Sequence, residues 1–183
     1  FTLWDTVITE SFEKVKAQAV TVEWDVWEEP NWRGWWGRDR DQFFETYAYF
    51  HRKLRELDPD AVIVGPSISM FDREYLEAFL LFAKDNDVVP DLLSWHEIIE
   101  EHHPVTIPRH VKTMEDFMEL HSIGVKGIDI NEFCSFERQT SPGFNAMYLA
   151  YLEQAKVNAA CRACWRDQDG KLFNDGLPML DGL

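Results

Sequence analysis

Basic residues are scarce in this chain. Against 33 Asp and Glu it carries only 18 Lys and Arg, a formal net charge of −15. Such a surface repels phosphate, so neither nucleic acid nor an anionic membrane is expected as a partner. Long apolar runs are missing as well, and none reaches the ~20 residues needed to span a bilayer. The chain opens Phe-Thr-Leu-Trp without a basic-then-apolar leader, so no signal peptide is expected within it. Three cysteines, Cys134, Cys161 and Cys164, cannot build a full disulfide framework. Cys161 and Cys164 form a C-x-x-C with no second pair to complete a zinc site. Buried structural thiols are the expectation there, with a redox or metal-binding pair as the alternative. No glycine-rich fingerprint follows an apolar run, which removes the signature of dinucleotide binding. No cofactor and no metal is expected.

Aromatic residues are plentiful by contrast, with eight Trp. An indole N–H needs a partner when buried, so a high Trp content splits between core packing and ligand surface. The length suffices for one domain with a real core.

The order of elements follows from periodicity. Residues 5–18 place Val7, Ile8, Phe12 and Val15 at helical spacing. Residues 20–27 alternate strictly: Val20, Val22, Trp24 and Val26 fall on one face, and Thr21, Glu23 and Asp25 on the other, as in a strand. After a Trp-rich loop, Asp39 reads as the N-cap of a helix over 40–56. The apolar run 61–65 reads as a strand buried on both faces, followed by a loop over 66–71. Asp72 reads as the cap of a helix reaching about residue 86. Strands are then expected over 92–96, 127–133 and 161–165. Helices are expected over 109–122, closed by Gly124, and over 143–159. This alternation implies parallel strands with right-handed crossovers. A doubly wound sheet and a barrel both satisfy it. The residues able to do chemistry sit at the C-terminal ends of several strands: Glu28 and Glu29, His96, Glu132 and Trp165. That distribution favours a (β/α)8 TIM barrel, whose active site gathers strand ends around the ring.

Glu29 and Glu132 end strands three apart in such a ring and face each other across its mouth. Glycoside hydrolysis needs a facing pair of this kind, one carboxyl to protonate the leaving oxygen and one carboxylate for the anomeric carbon. Helix capping is the alternative role for a strand-end carboxylate. A metal-dependent hydrolase is a competing reading, because residues 96–103 are dense in His and Glu. They read H-E-x-x-E, however, and not the zincin H-E-x-x-H.

The segment Trp27-Glu28-Glu29-Pro30-Asn31-Trp32 resembles the Trp-Asn-Glu-Pro-Asn motif that ends strand four of clan A glycoside hydrolases. It is most similar to the family 39 type, the β-xylosidases and α-iduronidases. Trp35-Trp36, Asp58-Pro59, Val64-Gly65-Pro66, Asp91-Leu92-Leu93-Ser94-Trp95-His96 and Ile130-Asn131-Glu132-Phe133 keep that family's order. The resemblance implies a retaining glycosidase acting on a carbohydrate substrate, with Glu29 as acid/base and Glu132 as nucleophile. It also implies His96 as a polar site residue, Trp165 as a floor for the sugar ring, and Glu28, Asn31 and Trp35 as substrate contacts. Trp32 and Trp36 either extend that aromatic surface or pack the loop on its own barrel.

Two positions depart from the pattern. Glu28 replaces the family's Asn; an ionised Glu is acceptor-only and cannot donate to a sugar hydroxyl. Ile98 stands where a Tyr often follows the strand-six His. Glu28 also motivates an alternative, a carbohydrate-binding barrel without catalysis. Only strands four to eight can be counted, whereas such a barrel takes about 250 residues. The remaining strands are expected from a preceding part of the protein or from another chain. The chain on its own is therefore expected to aggregate or self-associate.

Overall fold

The computed structural model describes residues 2–98, 103–134 and 141–163. Five parallel strands lie in sequence order, β1 (Glu23–Asp25), β2 (Val62–Ile68), β3 (Leu92–Glu97), β4 (Gly127–Phe133) and β5 (Ala159–Arg162). Five helices accompany them: α1 (Thr2–Lys16), α2 (Arg40–Leu57), α3 (Arg73–Asp85), α4 (Ile107–His121) and α5 (Pro142–Ala155). A 3-10 turn, Pro104–Thr106, leads into α4. Consecutive pairing in this order, with a helix on each crossover, is part of a (β/α)8 barrel. A doubly wound sheet would reverse its strand order at a switch point.

The local chemistry explains most boundaries. Asp39 caps α2 by accepting from the Gln42 N–H at 2.8 Å, and Asp72 caps α3 from the Tyr75 N–H at 3.1 Å. Each satisfies one of the orphan amides at a helix start. Strand β1 is much shorter than the expected 20–27. Its register runs from Glu23 opposite Val62 to Asp25 opposite Val64, and β2 offers nothing earlier to pair with. Val20 is consequently exposed. Helix α4 closes before Gly124, because Ser122 itself takes the left-handed conformation (φ 51°) and the Ile123 N–H bonds back to the Met118 carbonyl. Helix α5 stops at Ala155, short of 159, with Lys156 left-handed. Ala159 and Ala160, good helix formers, are drawn into β5 opposite Asp129 and Ile130. Cys161 lies on that strand and is exposed, contrary to the expected buried thiol, while Cys134 is buried. Cys164 and Trp165 lie outside the described residues.

The apolar core fills the layer between sheet and helices. Phe43, Tyr47, Leu76, Phe79, Ile107, Met114 and Tyr148 meet Ile63, Leu93, Trp95 and Ile130 from the strands. Gly65 is required at one contact in this layer. A Cβ there would lie 2.8 Å from the buried Tyr47 ring.

Asp91 fastens the opposite end of the sheet from the candidate site. Its carboxylate accepts from Arg55 at 2.5 Å, from the Ile63 N–H at 2.9 Å and from Lys126 at 2.7 Å. Burial pushes its pKa up, but the donors from Lys126, Ile63 and Arg55 outweigh that and hold it below the usual value. A depressed carboxyl adds stability that is present above its unfolded pKa and lost as pH falls through the folded one. Asp91→Asn should therefore cost about 2–3 kcal/mol at pH 7 in urea melts. The gap to wild type should narrow below about pH 4. Equal stability of the two proteins at neutral pH would contradict this account.

Candidate active site

Side chains of β1 through β4 meet at the C-terminal ends of the strands. His96, fully buried on β3, is at the centre. Its Nδ1 lies 3.0 Å from Glu29 Oε1 and 3.6 Å from Glu132 Oε2, and its Nε2 lies 3.9 Å from Glu28 Oε1. One ligand-type atom from each of Glu28, Glu29, His96 and Glu132 falls within 4.8 Å of the others. With the proton on Nδ1, the imidazole donates to Glu29 and leaves Nε2 as a buried acceptor without a hydrogen-bond partner among the described residues. A protonated Glu28, or a second proton on the ring, would fill that position.

Glu29 owes its place to an uncommon backbone. Its φ is +43°, left-handed for a residue that is not glycine, and its N–H donates to the Ser67 carbonyl at 3.0 Å. Such a conformation persists only where its surroundings hold it. The residue is 7% exposed, whereas the Glu28 side chain is about half exposed. Burial raises the Glu28 pKa first; His96 opposes this, and Glu132, Asp25 and Glu29 add to it.

Glu132 depends on a break in strand alternation. Trp95 pairs with Ile130 and His96 with Glu132, so Asn131 is an extra residue in β4. A bulge of this kind lets two successive side chains share a face. Asn131 and Glu132 therefore both serve the barrel interior. Strand β2 has a matching irregularity: Pro66 pairs with Ser94 and Ile68 with Trp95, which leaves Ser67 as the extra residue, with φ +54°.

These two extra residues meet. Ser67 Oγ donates to Asp25 Oδ2 at 2.5 Å and lies 2.8 Å from Ser94 Oγ. Asn131 Nδ2 donates to Asp25 Oδ2 and to Ser67 Oγ, each at 2.8 Å. The Asp25 residue is exposed along the open side of the sheet, yet its carboxyl is packed among protein groups. That burial pushes its pKa up to about 6, against hydrogen bonds from Ser67, Trp27 and Asn131 and the charge of His96. None of Asp25, Ser67, Ser94 and Asn131 stands out as a site residue in the sequence. The only signal was polar side chains on otherwise apolar strands.

Other candidates take different positions. Asn31 Oδ1 accepts from the Ser69 N–H at 2.8 Å and so fastens the loop after β2. Glu97, beside His96, points to the helices: it is 1% exposed and its Oε1 is 2.8 Å from both Trp95 Nε1 and His110 Nδ1. His and Glu of the H-E dipeptide thus lie on opposite faces of β3. His103 caps the 3-10 turn before α4. A metal centre built from the 96–103 stretch is not formed by its described members. Among the described residues, Glu28, Glu29, Glu132 and His96 itself are the group that could hold a cation.

The three Trp of the loop separate. Trp36 packs edge-on against Trp27 and Phe43 and donates its N–H to the Asp39 carbonyl. Trp32 and Trp35 are 55% and 54% exposed and contact each other edge-on.

Parallel half-barrel strands with carboxylates at their ends place the chain among barrel glycoside hydrolases. The family model for glycosyl hydrolases family 39 matches residues 13–129. The chain belongs to that family. Glu28, Glu29 and His96 fall inside the match, and Glu132 lies just beyond it. A β-xylosidase of Geobacillus stearothermophilus is 28% identical over 92 residues, covering 49% of this chain and 18% of that protein. Among solved structures, a protein of Neocallimastix frontalis superposes with TM-score 0.80 at 24% identity, over 90% of this chain and 41% of that one. A monomeric β-xylosidase of Caulobacter crescentus CB15 follows with TM-score 0.72 at 18% identity, over 90% and 38% respectively. The chain thus spans well under half the length of these relatives.

The split among the tryptophans is testable. Trp36→Ala should cost about 3 kcal/mol by loss of packing. Trp32→Ala and Trp35→Ala should each cost less than about 1 kcal/mol. Equal losses at all three positions in chemical denaturation would contradict the packing described.

Proposed function

We propose that the protein carrying this chain is a retaining glycosidase in which Glu29 is the acid/base and Glu132 the nucleophile. The observation that supports this best is the closeness of the two carboxylates, with oxygens within 4.8 Å of each other. Retaining enzymes hold their pair about 5–5.5 Å apart, and inverting enzymes need about 6.5–9.5 Å to admit a water. In the first step Glu132 attacks the anomeric carbon as the glycosidic bond breaks, and Glu29 passes its proton to the departing oxygen. In the second step the Glu29 carboxylate takes a proton from water, which displaces Glu132 from the sugar. His96, 3.0 Å from Glu29, fixes the orientation of the acid/base in both steps. Trp35 and Trp165 are proposed sugar-stacking surfaces, and Glu28 and Asn31 further contacts. Because two relatives are named β-xylosidases, aryl β-xylosides are the first substrates to assay.

Glu132→Gln should lower turnover by several orders of magnitude with the fold intact, and a mechanism-based fluorosugar should label Glu132 alone. Peptide mapping that places the label elsewhere, or an active Gln variant, sinks the assignment.

Glu28 favours a second reading, a barrel that binds carbohydrate without cleaving it. Affinity for a glycoside without turnover would support that reading. In an active enzyme, Glu28→Asn removes a negative charge beside Glu29. A neighbouring negative charge favours the protonated acid, so its loss lets the proton leave at lower pH. The alkaline limb of the kcat/KM profile should then move to lower pH. An unmoved limb removes Glu28 from the site.

A further inference from the structure

We infer that Asp25 is a positioning residue that sets the spacing of Glu29 and Glu132 through the two bulges it ties together. The inference rests on the glycosidase reading above. Asp25 reaches neither carboxylate directly. Its Oδ2 takes hydrogen bonds from the extra residue of each bulge, Ser67 on β2 and Asn131 on β4. Those two residues also bond to each other. From there the connections run in two directions. The Ser67 carbonyl holds the N–H of Glu29, which is left-handed and so depends on external support. Asn131 is joined by one peptide bond to Glu132, and its bulge is what turns Glu132 inward.

The geometry leaves little slack. Ser94 Oγ accepts from the Ser67 N–H at 3.1 Å and meets Ser67 Oγ at 2.8 Å, so both the backbone and the side chain of Ser67 are anchored on β3. Ser67 and Ser94 are fully buried. Without the Asp25 carboxyl, Ser67 Oγ and Asn131 Nδ2 lose their common acceptor. Each bulge can then relax on its own, and the two catalytic carboxylates are no longer held to one spacing. A displacement of about 1 Å at reacting groups can cost on the order of a hundredfold in rate.

A link that includes the nucleophile makes a prediction that a link to the acid/base alone does not. In the first step, which kcat/KM reports, a dinitrophenyl leaving group departs without a proton and needs only the nucleophile, whereas a phenyl leaving group also needs the acid. In the whole protein, Asp25→Ala should lower kcat and kcat/KM about tenfold to a hundredfold on both substrates, with KM changed less than about threefold. Asp25→Asn keeps an oxygen that can accept both hydrogen bonds, and should recover kcat to within a few-fold of wild type. Ser67→Ala, which removes the hub hydroxyl, should reproduce the Asp25→Ala loss and serves if Asp25→Ala does not fold. Three results would overturn the inference. One is unchanged kcat in Asp25→Ala or Ser67→Ala. Another is a loss of kcat/KM confined to the phenyl glycoside. The third is an Asp25→Asn as impaired as Asp25→Ala, since charge and not geometry would then be at work. The assignment of Glu132 fails separately, by activity surviving in Glu132→Gln, and the glycosidase reading by glycoside affinity without turnover in the wild-type protein.

Discussion

The hydrogen bonds that join Asp25, Ser67 and Asn131 are the constraint on which the candidate site depends. A regular parallel strand alternates its side chains strictly between faces. With Asp129 on the interior, regular alternation would turn Asn131 inward and Glu132 outward, into the apolar layer beneath the helices. The extra residue in β4 removes that conflict, and Ser67 is the extra residue two strands earlier. Bulges leave a residue outside the ladder, and each left-over residue here carries a side chain that can bond sideways. The polar contacts across β1 to β4 thus replace ladder bonds given up at the bulges, close to where the chemistry would occur.

Periodicity reads regular elements well and irregular ones poorly, and this chain divides along that line. The helices capped by Asp39 and Asp72 were legible because one aspartate at a helix start has a definite partner, an amide three residues on. Strand β4 was legible to the residue, since Ile128 and Ile130 alternate with Asp129 and Asn131 between Gly127 and Phe133. The alternation of helices and strands left a doubly wound sheet and a barrel open, and the reactive residues at several strand ends decided for the barrel. The inward turn of Glu132 was not derivable from alternation, because bulges follow from contacts with other strands and leave no local pattern. The same holds for β1 and β5. Their sequences favour a longer strand and a longer helix, respectively, and the register with a neighbour decides otherwise. Glu97 shows the opposite error. A carboxylate beside His96 looks like part of a site, but alternation on a regular stretch of β3 sends it outward to Trp95 and His110.

The polar residues of the barrel face explain how one half of the molecule can carry stability and the other half chemistry. Barrel interiors are usually filled with branched apolar side chains. Here the inward positions include Glu23 and Asp25 on β1, Ser67 on β2, Ser94 and His96 on β3, and Asp129 and Asn131 on β4. The apolar residues of the same strands, Trp24, Ile63, Trp95 and Ile130, face the helices and join the core there. Burial of apolar surface, the main favourable term in folding, is thus concentrated on one side of the sheet. The other side is free to hold groups that would be costly in a packed core.

That freedom has an electrostatic limit. The carboxyls stack along the interior in levels, with Glu23 beside Asp129, then Asp25, then Glu28, Glu29 and Glu132 around the single imidazole. Burial raises the Glu23 pKa, and the neighbouring Asp129 raises it further. Burial likewise raises Asp25 and Glu28. Like charges this close do not all ionise cheaply. The cheapest arrangement keeps protons on some of the acids and charge on others, and His96 can supply at most one compensating positive charge. A glycosidase of the retaining type requires such a division at its mouth, one carboxyl protonated and its partner ionised. In this chain burial singles out Glu23, Asp25 and Glu28 as the acids whose pKa values rise, according to the strand or strand end each occupies.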